Sequence, residues 1–233
     1  KNGKDNILFT YTRLLSAAIS AISKNSSGIW GAHSWYWNKC GGSFLEDDIK
    51  NGSVETTLNS HNIRLGNVIV DEGQDLDMAF FKALVGISNR VSVGADDAQQ
   101  LYKVDTTMNS LQNTLQHDKH ILTRNFRNRY NIYNFARQFI PENPQANDPS
   151  LLERLKEERS GGNVEVRIKN SEEELNELFS TIINERNDGN IGILVSSKNS
   201  VDYYSNYLDE REIEHSAYHS GMHYKKKRQI ERN

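Results

Sequence analysis

Residues 67–77, NVIVDEGQDLD, run four mostly apolar residues straight into a cluster of carboxylates. A short apolar run bounded by turn residues fits a buried strand of a parallel sheet. The carboxyl ends of such strands are where open α/β sheets bind ligands. The chain around this stretch alternates in the same sense. NILFTYT (6–12) is β-rich, and RLLSAAISAIS (13–23) follows with apolar residues at 14, 15, 18, 19 and 22, a helical face. NVIV (67–70) predicts a second strand, LDMAFFKALVG (76–86) a helix and NRVSVGA (89–95) a third strand. SLQNTLQ (110–116) fits a helix, KHILTRNF (119–126) another short strand, and NRYNIYNFARQFI (128–140) a helix stopped by Pro141. Such alternation implies a parallel sheet with crossover helices. Between 24 and 66, Gly, Ser, Asn and three Trp residues read as loops around GIWGAHSWYW, with a short helix from His33.

All three prolines fall in PENPQANDPS (141–150), and the charged run 151–162 ends in a Gly pair, so 141–162 reads as a linker after a first domain at 1–140. The α/β pattern restarts over 163–233. Strands are expected at 163–168, 190–197 and 214–219, and helices at 171–188, opened by a Ser171/Glu174 capping box, at 199–212 and from 225.

Composition narrows the function classes. With 28 Lys+Arg against 31 Asp+Glu the net charge is −3, so nucleic-acid binding would rest on local patches rather than a global basic field. No apolar run approaches the roughly 20 residues that span a bilayer, and no membrane association is expected. One cysteine, Cys40, excludes an intrachain disulfide and a cysteine-built zinc site, which fits a reducing cytoplasm.

A hydrophobic strand closed by Asp-Glu has a chemical use. The Asp, here Asp71, holds Mg²⁺ through water, and the next Glu, here Glu72, polarises the water that attacks a nucleotide γ-phosphate. The plainer reading is an acidic turn capping the following helix, the role expected of Asp75 and Asp77.

Taken with its neighbours, VIVDEGQDL resembles motif II of the UvrD/Rep-type superfamily 1 helicases, an apolar strand closed by Asp-Glu-x-Gln-Asp. VSVGADDAQQLY (91–102) resembles motif III, whose γ-phosphate-sensing Gln matches Gln99, and LTRNFRNRYNIYNFA (122–136) resembles motif IV, whose phosphate-contacting arginine matches Arg127. NILFTYTRLLSAAI (6–19) looks like motif Ia, and GAHSWYW (31–37) looks like the Thr-x-His-Ser-aromatic segment that follows it. The resemblance implies an ATP- and Mg²⁺-dependent motor on single-stranded DNA or RNA, built from a RecA-like domain 1A and a second RecA-like domain 2A. ATP and Mg²⁺ would meet Asp71, Glu72, Gln99 and Arg127. Thr10, Tyr11, Thr12, His33, Ser34 and Tyr102 would face the single strand. The side chains suit these roles: a Gln amide both donates and accepts, and an Arg fork matches phosphate.

The departures set further expectations. NGKD (2–5) precedes a strand instead of following one, so Gly3 and Lys4 do not form the phosphate loop G-x-x-x-x-G-K-[ST]. The segments resembling domain 2A stop before motifs V and VI. The chain is therefore expected to lack the first β–α unit of 1A and part of 2A, with the remainder of a parent chain supplying them. Ala95 and Val104 stand where motif III usually has Gly and an aromatic, which removes one base-stacking position. The segment between motifs Ia and II is too short for an inserted domain. Trp30, Trp35, Tyr36 and Trp37 can stack bases or pack a core, and HYKKKR (223–228) can track a phosphate backbone or form a solvated helix start. Two other readings are a non-enzymatic nucleic-acid-binding or protein-docking module, and a metal nuclease built on Asp71, Glu72, Asp75 and Asp77.

Overall fold

A computed structural model of the protein describes residues 5–23, 28–100, 102–122, 124–144, 146–184 and 191–219. These fall into two compact units, one running to Leu122 and the other lying within Thr123–Ile230.

The first unit holds β1 (Asp5–Thr10), α1 (Arg13–Ile22), β2 (Ile29–Gly31), α2 (Ala32–Lys39), α3 (Leu45–Asn51), α4 (Val54–Ser60), β3 (Leu65–Val70), α5 (Met78–Ile87), β4 (Ser88–Val93) and α6 (Met108–Leu115). Its four strands are all parallel and lie in the order β2-β1-β3-β4. The protein is therefore α/β with a parallel sheet. In register, Phe9 pairs with Val70, and Val70 with Val93, so the carboxyl ends of β1, β3 and β4 finish level.

The strands are buried on one face. Ile7 and Phe9 of β1 and Val68 and Val70 of β3 are buried, whereas Asn67 is exposed and Ile69 is 54% exposed. NVIV is thus a half-buried strand, not one covered on both sides. The covered face packs against α2, α4 and α5. Phe9, Trp35 and Phe80 meet edge to face, with centroids 4.9 Å apart for Phe9–Trp35 and 5.6 Å for Phe9–Phe80. Of the clustered aromatics, Trp35 and Tyr36 belong to this core, Trp30 packs against it, and Trp37 is half exposed.

The short helix read from His33 is formed as α2, whereas the rest of the stretch read as loops between 24 and 66 carries β2, α3, α4 and the start of β3, with 24–27 outside the described residues. β2 has only three residues, too few to show a period, and gains its ladder from β1. The short helices are tied together by tertiary bonds that periodicity does not report. The Tyr36 hydroxyl donates to Asp48 Oδ2 at 2.6 Å, and Ser53 Oγ donates to Asp48 Oδ1 at 2.7 Å, joining α2, α3 and the start of α4.

In the second unit α7 (Tyr130–Ala136) runs into a short 3-10 turn (Arg137–Phe139), and α8 (Pro149–Glu158) occupies the segment expected to be a linker. Asp148 caps α8 and Pro149 sits in its first turn, so a proline that reads as a break opens a helix. α9 (Glu172–Asn184) and α10 (Lys198–Asp209) pack through Phe179, Ile183, Tyr207 and Leu208. The Ser171 hydroxyl accepts from the Glu174 amide at 3.2 Å, as its capping role requires.

The strands expected at 119–126, 163–168, 190–197 and 214–219 are not formed among the described residues. The sheet of an incomplete second RecA-like domain is therefore absent from residues 163–184 and 191–219. A β-prone segment becomes a strand only with a neighbour to complete its ladder and cover its side chains. Here Leu122, Ile168 and Leu194 are 94%, 85% and 99% exposed. The helix expected from 225 and the basic run 223–228 lie outside the described residues.

The two hydrogen bonds on Asp48, that from Tyr36 foremost, hold its carboxyl below the ordinary range. Because the folded value lies below the unfolded value of about 3.9, Asp48 stabilises the fold above that pH, and the contribution is lost as pH falls through the folded value. Asp48→Asn is expected to lower the urea midpoint at neutral pH and to flatten its acid dependence below about pH 4, which unfolding curves over a pH series measure.

Candidate functional site

The strand order creates the site. From β1 the chain moves through α1 to β2 on one side, and from β3 through α5 to β4 on the other. The order reverses between β1 and β3, and in open parallel sheets right-handed crossovers make such a reversal, at the carboxyl ends of the strands, the place where a ligand crevice forms. Residues 10–12 and 71–73 flank it.

The β3 side of the crevice is built by backbone bonds. The Asp71 amide donates to the Phe9 carbonyl at 2.9 Å, continuing the sheet one residue past β3. Glu72 then adopts the left-handed conformation (φ 55°, ψ 45°), rare for a residue with a side chain. Gly73 turns beneath β4, its amide donating to the Gly94 carbonyl at 2.9 Å. A Cβ at 73 would lie 2.4 Å from Val93 Cγ1, so this position requires glycine. Gln74 and Asp75 are buried at 1% and 7% exposure, and Asp77 caps α5 by accepting from the Ala79 amide at 2.8 Å.

The connection after β4 forms a second turn at Asp97–Gln99. Asp96 caps it, accepting from the Ala98 amide at 3.0 Å and from Gln99 Nε2 at 2.8 Å. Asp97 accepts from the Met108 amide at the start of α6 at 3.0 Å. Gln99 is exposed. Among the acidic residues 71–77 and 96–97, Asp71 is the one whose carboxylate has no hydrogen bond or ion pair within the described residues. A single half-buried carboxylate at a strand end suits Mg²⁺, which keeps most of its water and takes phosphate oxygens as further ligands. No three His, Cys, Asp or Glu side chains among the described residues converge as a metal cage. With Asp77 capping a helix and Asp75 buried, two of the four carboxylates of the nuclease reading are turned to other uses.

On the β1 side, Tyr11 stacks on Tyr102 with centroids 4.7 Å apart and meets His33 edge-on at 5.6 Å. Tyr102 is 48% exposed. Burial, then the neighbouring Tyr102, pushes the Tyr11 phenol above its ordinary pKa, so it stays protonated. His33 Nδ1 lies 3.4 Å from Glu46 Oε1. Thr10 is fully buried and donates to the Thr12 carbonyl at 3.0 Å, Thr12 caps α1 by accepting from the Leu15 amide at 3.2 Å, and Ser34 donates to the Gly31 carbonyl at 2.9 Å. The structure thus gathers Tyr11, His33 and Tyr102 into one aromatic patch, while Thr10, Thr12 and Ser34 shape the backbone beside it.

Arg127 belongs to the second unit. Its side chain is exposed, and its backbone amide donates to Asn125 Oδ1 at 3.0 Å within a tight turn. Cys40, buried at 1% exposure, has its thiol pushed up to about 11 by burial and by nearby Asp48, which leaves it inert. No described helix is long and apolar enough to cross a membrane. Comparison of the chain with protein-family models, curated proteins and solved structures finds no match.

Sequence reasoning assigned no role to Gln74 or Asp96, although both lie inside quoted motifs. Their contacts join segments 22 residues apart, and only the fold brings these together. Gly73→Ala is expected to cost about 1–3 kcal/mol, the scale of an overpacked core, measured as a drop in urea-unfolding free energy.

Proposed function

We propose that this chain is part of an ATP-hydrolysing motor of the UvrD/Rep superfamily 1 kind, acting on single-stranded nucleic acid. In this reading the parallel sheet is a RecA-like domain 1A, and the phosphate loop and motifs V and VI lie outside these residues. The observation that carries it is the juxtaposition of Asp71 and Glu72, at the crevice where the strand order reverses, with the Gln99 turn that follows the adjacent strand.

Each residue then has a chemical task. Asp71 would hold the hydrated Mg²⁺ of an ATP complex, which would supply charge neutralisation at the phosphate oxygens. Glu72 takes the proton as a water oxygen bonds to the γ-phosphorus and the bond to the β-bridging oxygen breaks, releasing ADP and phosphate. Gln99 meets the γ-phosphate through its neutral amide, and Arg127 supplies a phosphate-contacting guanidinium. Tyr11, Tyr102 and His33 offer a stacking surface to unpaired bases, each worth about 1–3 kcal/mol. That same patch favours the second reading, a nucleic-acid-binding module without catalysis, because it needs no nucleotide.

Turnover separates the two. In a protein carrying this segment together with a phosphate loop, Glu72→Gln is expected to leave ATP affinity nearly intact and to lower turnover by roughly 10²-fold or more. Turnover near wild type would make the carboxylates helix-turn residues and leave the binding module standing. Arg127→Ala is expected to lower turnover about 10³-fold with an unchanged thermal midpoint. A lowered midpoint with unchanged turnover would assign Arg127 to the fold, and one set of steady-state and melting measurements reads both.

A further inference from the structure

Gln74 has a side chain that the chemistry above does not use, and it is among the most completely buried polar groups of the first unit. Its Nε2 donates to Glu72 Oε2 at 2.7 Å, and its Oε1 accepts from the Asp96 amide at 3.1 Å. Its backbone carbonyl accepts from Gln100 Nε2 at 3.0 Å, and that amide also donates to the Thr106 carbonyl at 3.1 Å. Asp96 in turn holds Gln99 Nε2 at 2.8 Å. A continuous path of hydrogen bonds therefore runs from the Glu72 carboxylate through Gln74 and Asp96 to the Gln99 side chain.

We propose that Gln74 is a positioning residue that fixes the Glu72 carboxylate and ties it to the Asp96–Gln99 turn, so that the two ends of the site move together. The proposal rests on the reading of Glu72 as the proton acceptor and Gln99 as the γ-phosphate contact. Position 74 needs an amide because it must donate to a carboxylate and accept from a backbone N–H at once. A carboxylate at 74 would keep the acceptor for Asp96 and set a like charge against Glu72, and an aliphatic side chain would lose both bonds. The local backbone serves the same end. Glu72 in the left-handed conformation and Gly73 beneath Val93 make a turn tight enough for the side chain two residues on to reach back to Glu72. A residue held at positive φ without glycine persists where its surroundings over-determine it, and the Gln74 bond is such a constraint. A shift of Gln99 toward or away from a phosphate pulls on Asp96, and Gln74 passes the displacement to Glu72.

Two measurements test this, one of which needs no turnover. In the chain itself, amide NMR spectra are compared for wild type, Glu72→Ala, Gln74→Leu and the double variant. The Asp96 amide and the Gln99 side-chain amide are expected to shift on Glu72→Ala when Gln74 is present and to lose that response in the Gln74→Leu background. An equal response in both backgrounds, or none in either, overturns the proposal. In the protein carrying a phosphate loop, Gln74→Leu and the near-isosteric Gln74→Glu are expected to lower kcat by about 10-fold to 10²-fold, the cost of misplacing a reacting group, with the KM for ATP little changed. If Glu72→Gln abolishes turnover while both Gln74 variants retain it, Gln74 is structural and the proposal is wrong. If Glu72→Gln also retains turnover, the ATPase reading has failed instead, and the NMR coupling alone then decides whether Gln74 links the two turns.

Discussion

Everything at the candidate site depends on parallel pairing being carried past the ends of the strands. Gly94 donates to the Val70 carbonyl at 2.8 Å, Asp71 to the Phe9 carbonyl, and Gly73 to the Gly94 carbonyl. Strand ends usually fray into loops whose backbone groups turn to water. Here the three bonds hold the first residues after β3 between the ends of β1 and β4, so their side chains emerge from rigid backbone. A catalytic or binding group on such a support is placed more accurately than one on a free loop.

The cost of that support falls on the backbone of Glu72 and the space around Gly73. A non-glycine residue at positive φ is disfavoured by about 1–3 kcal/mol, and a Cβ on the next residue would strike Val93. Glycine at 72 would relieve the first problem and lose the carboxylate. The glycine stands at the crowded position 73, and Glu72, like Asn62, Gln116 and Glu212, takes a positive φ with its side chain in place.

How much of this was legible in the sequence varies with where the determining contacts lie. β1, α1, β3, α5 and β4 announce themselves through local composition and period, because the alternation of buried and exposed positions is written along each element itself. The pairs Tyr36–Asp48 and Asp96–Gln74 do not, since they join elements whose proximity is a result of folding. The four unformed strands show the reverse failure. Val166 and Ile168 carry strand propensity, but at 68% and 85% exposure nothing pairs with or covers them, and propensity without a partner specifies little. At the site, Asp71, Glu72 and Gln99 were visible as residue types in a familiar order. The fold adds Gln74 and Asp96, whose bonds lie between Glu72 and Gln99.

The carboxylates that gather where β3 and β4 end divide their roles. Concentrating negative charge in one place costs free energy unless each group is neutralised, hydrogen-bonded or left in water. Asp77 and Asp96 spend their charge on the amides that open α5 and the 97–99 turn, where the helical dipole favours an anion. Asp97 accepts from the first amide of α6, and Glu72 from Gln74. The Asp71 carboxylate has no such partner among the described residues. On the ATPase reading proposed above, Asp71 is the carboxylate left to meet the hydrated cation that a nucleotide would bring.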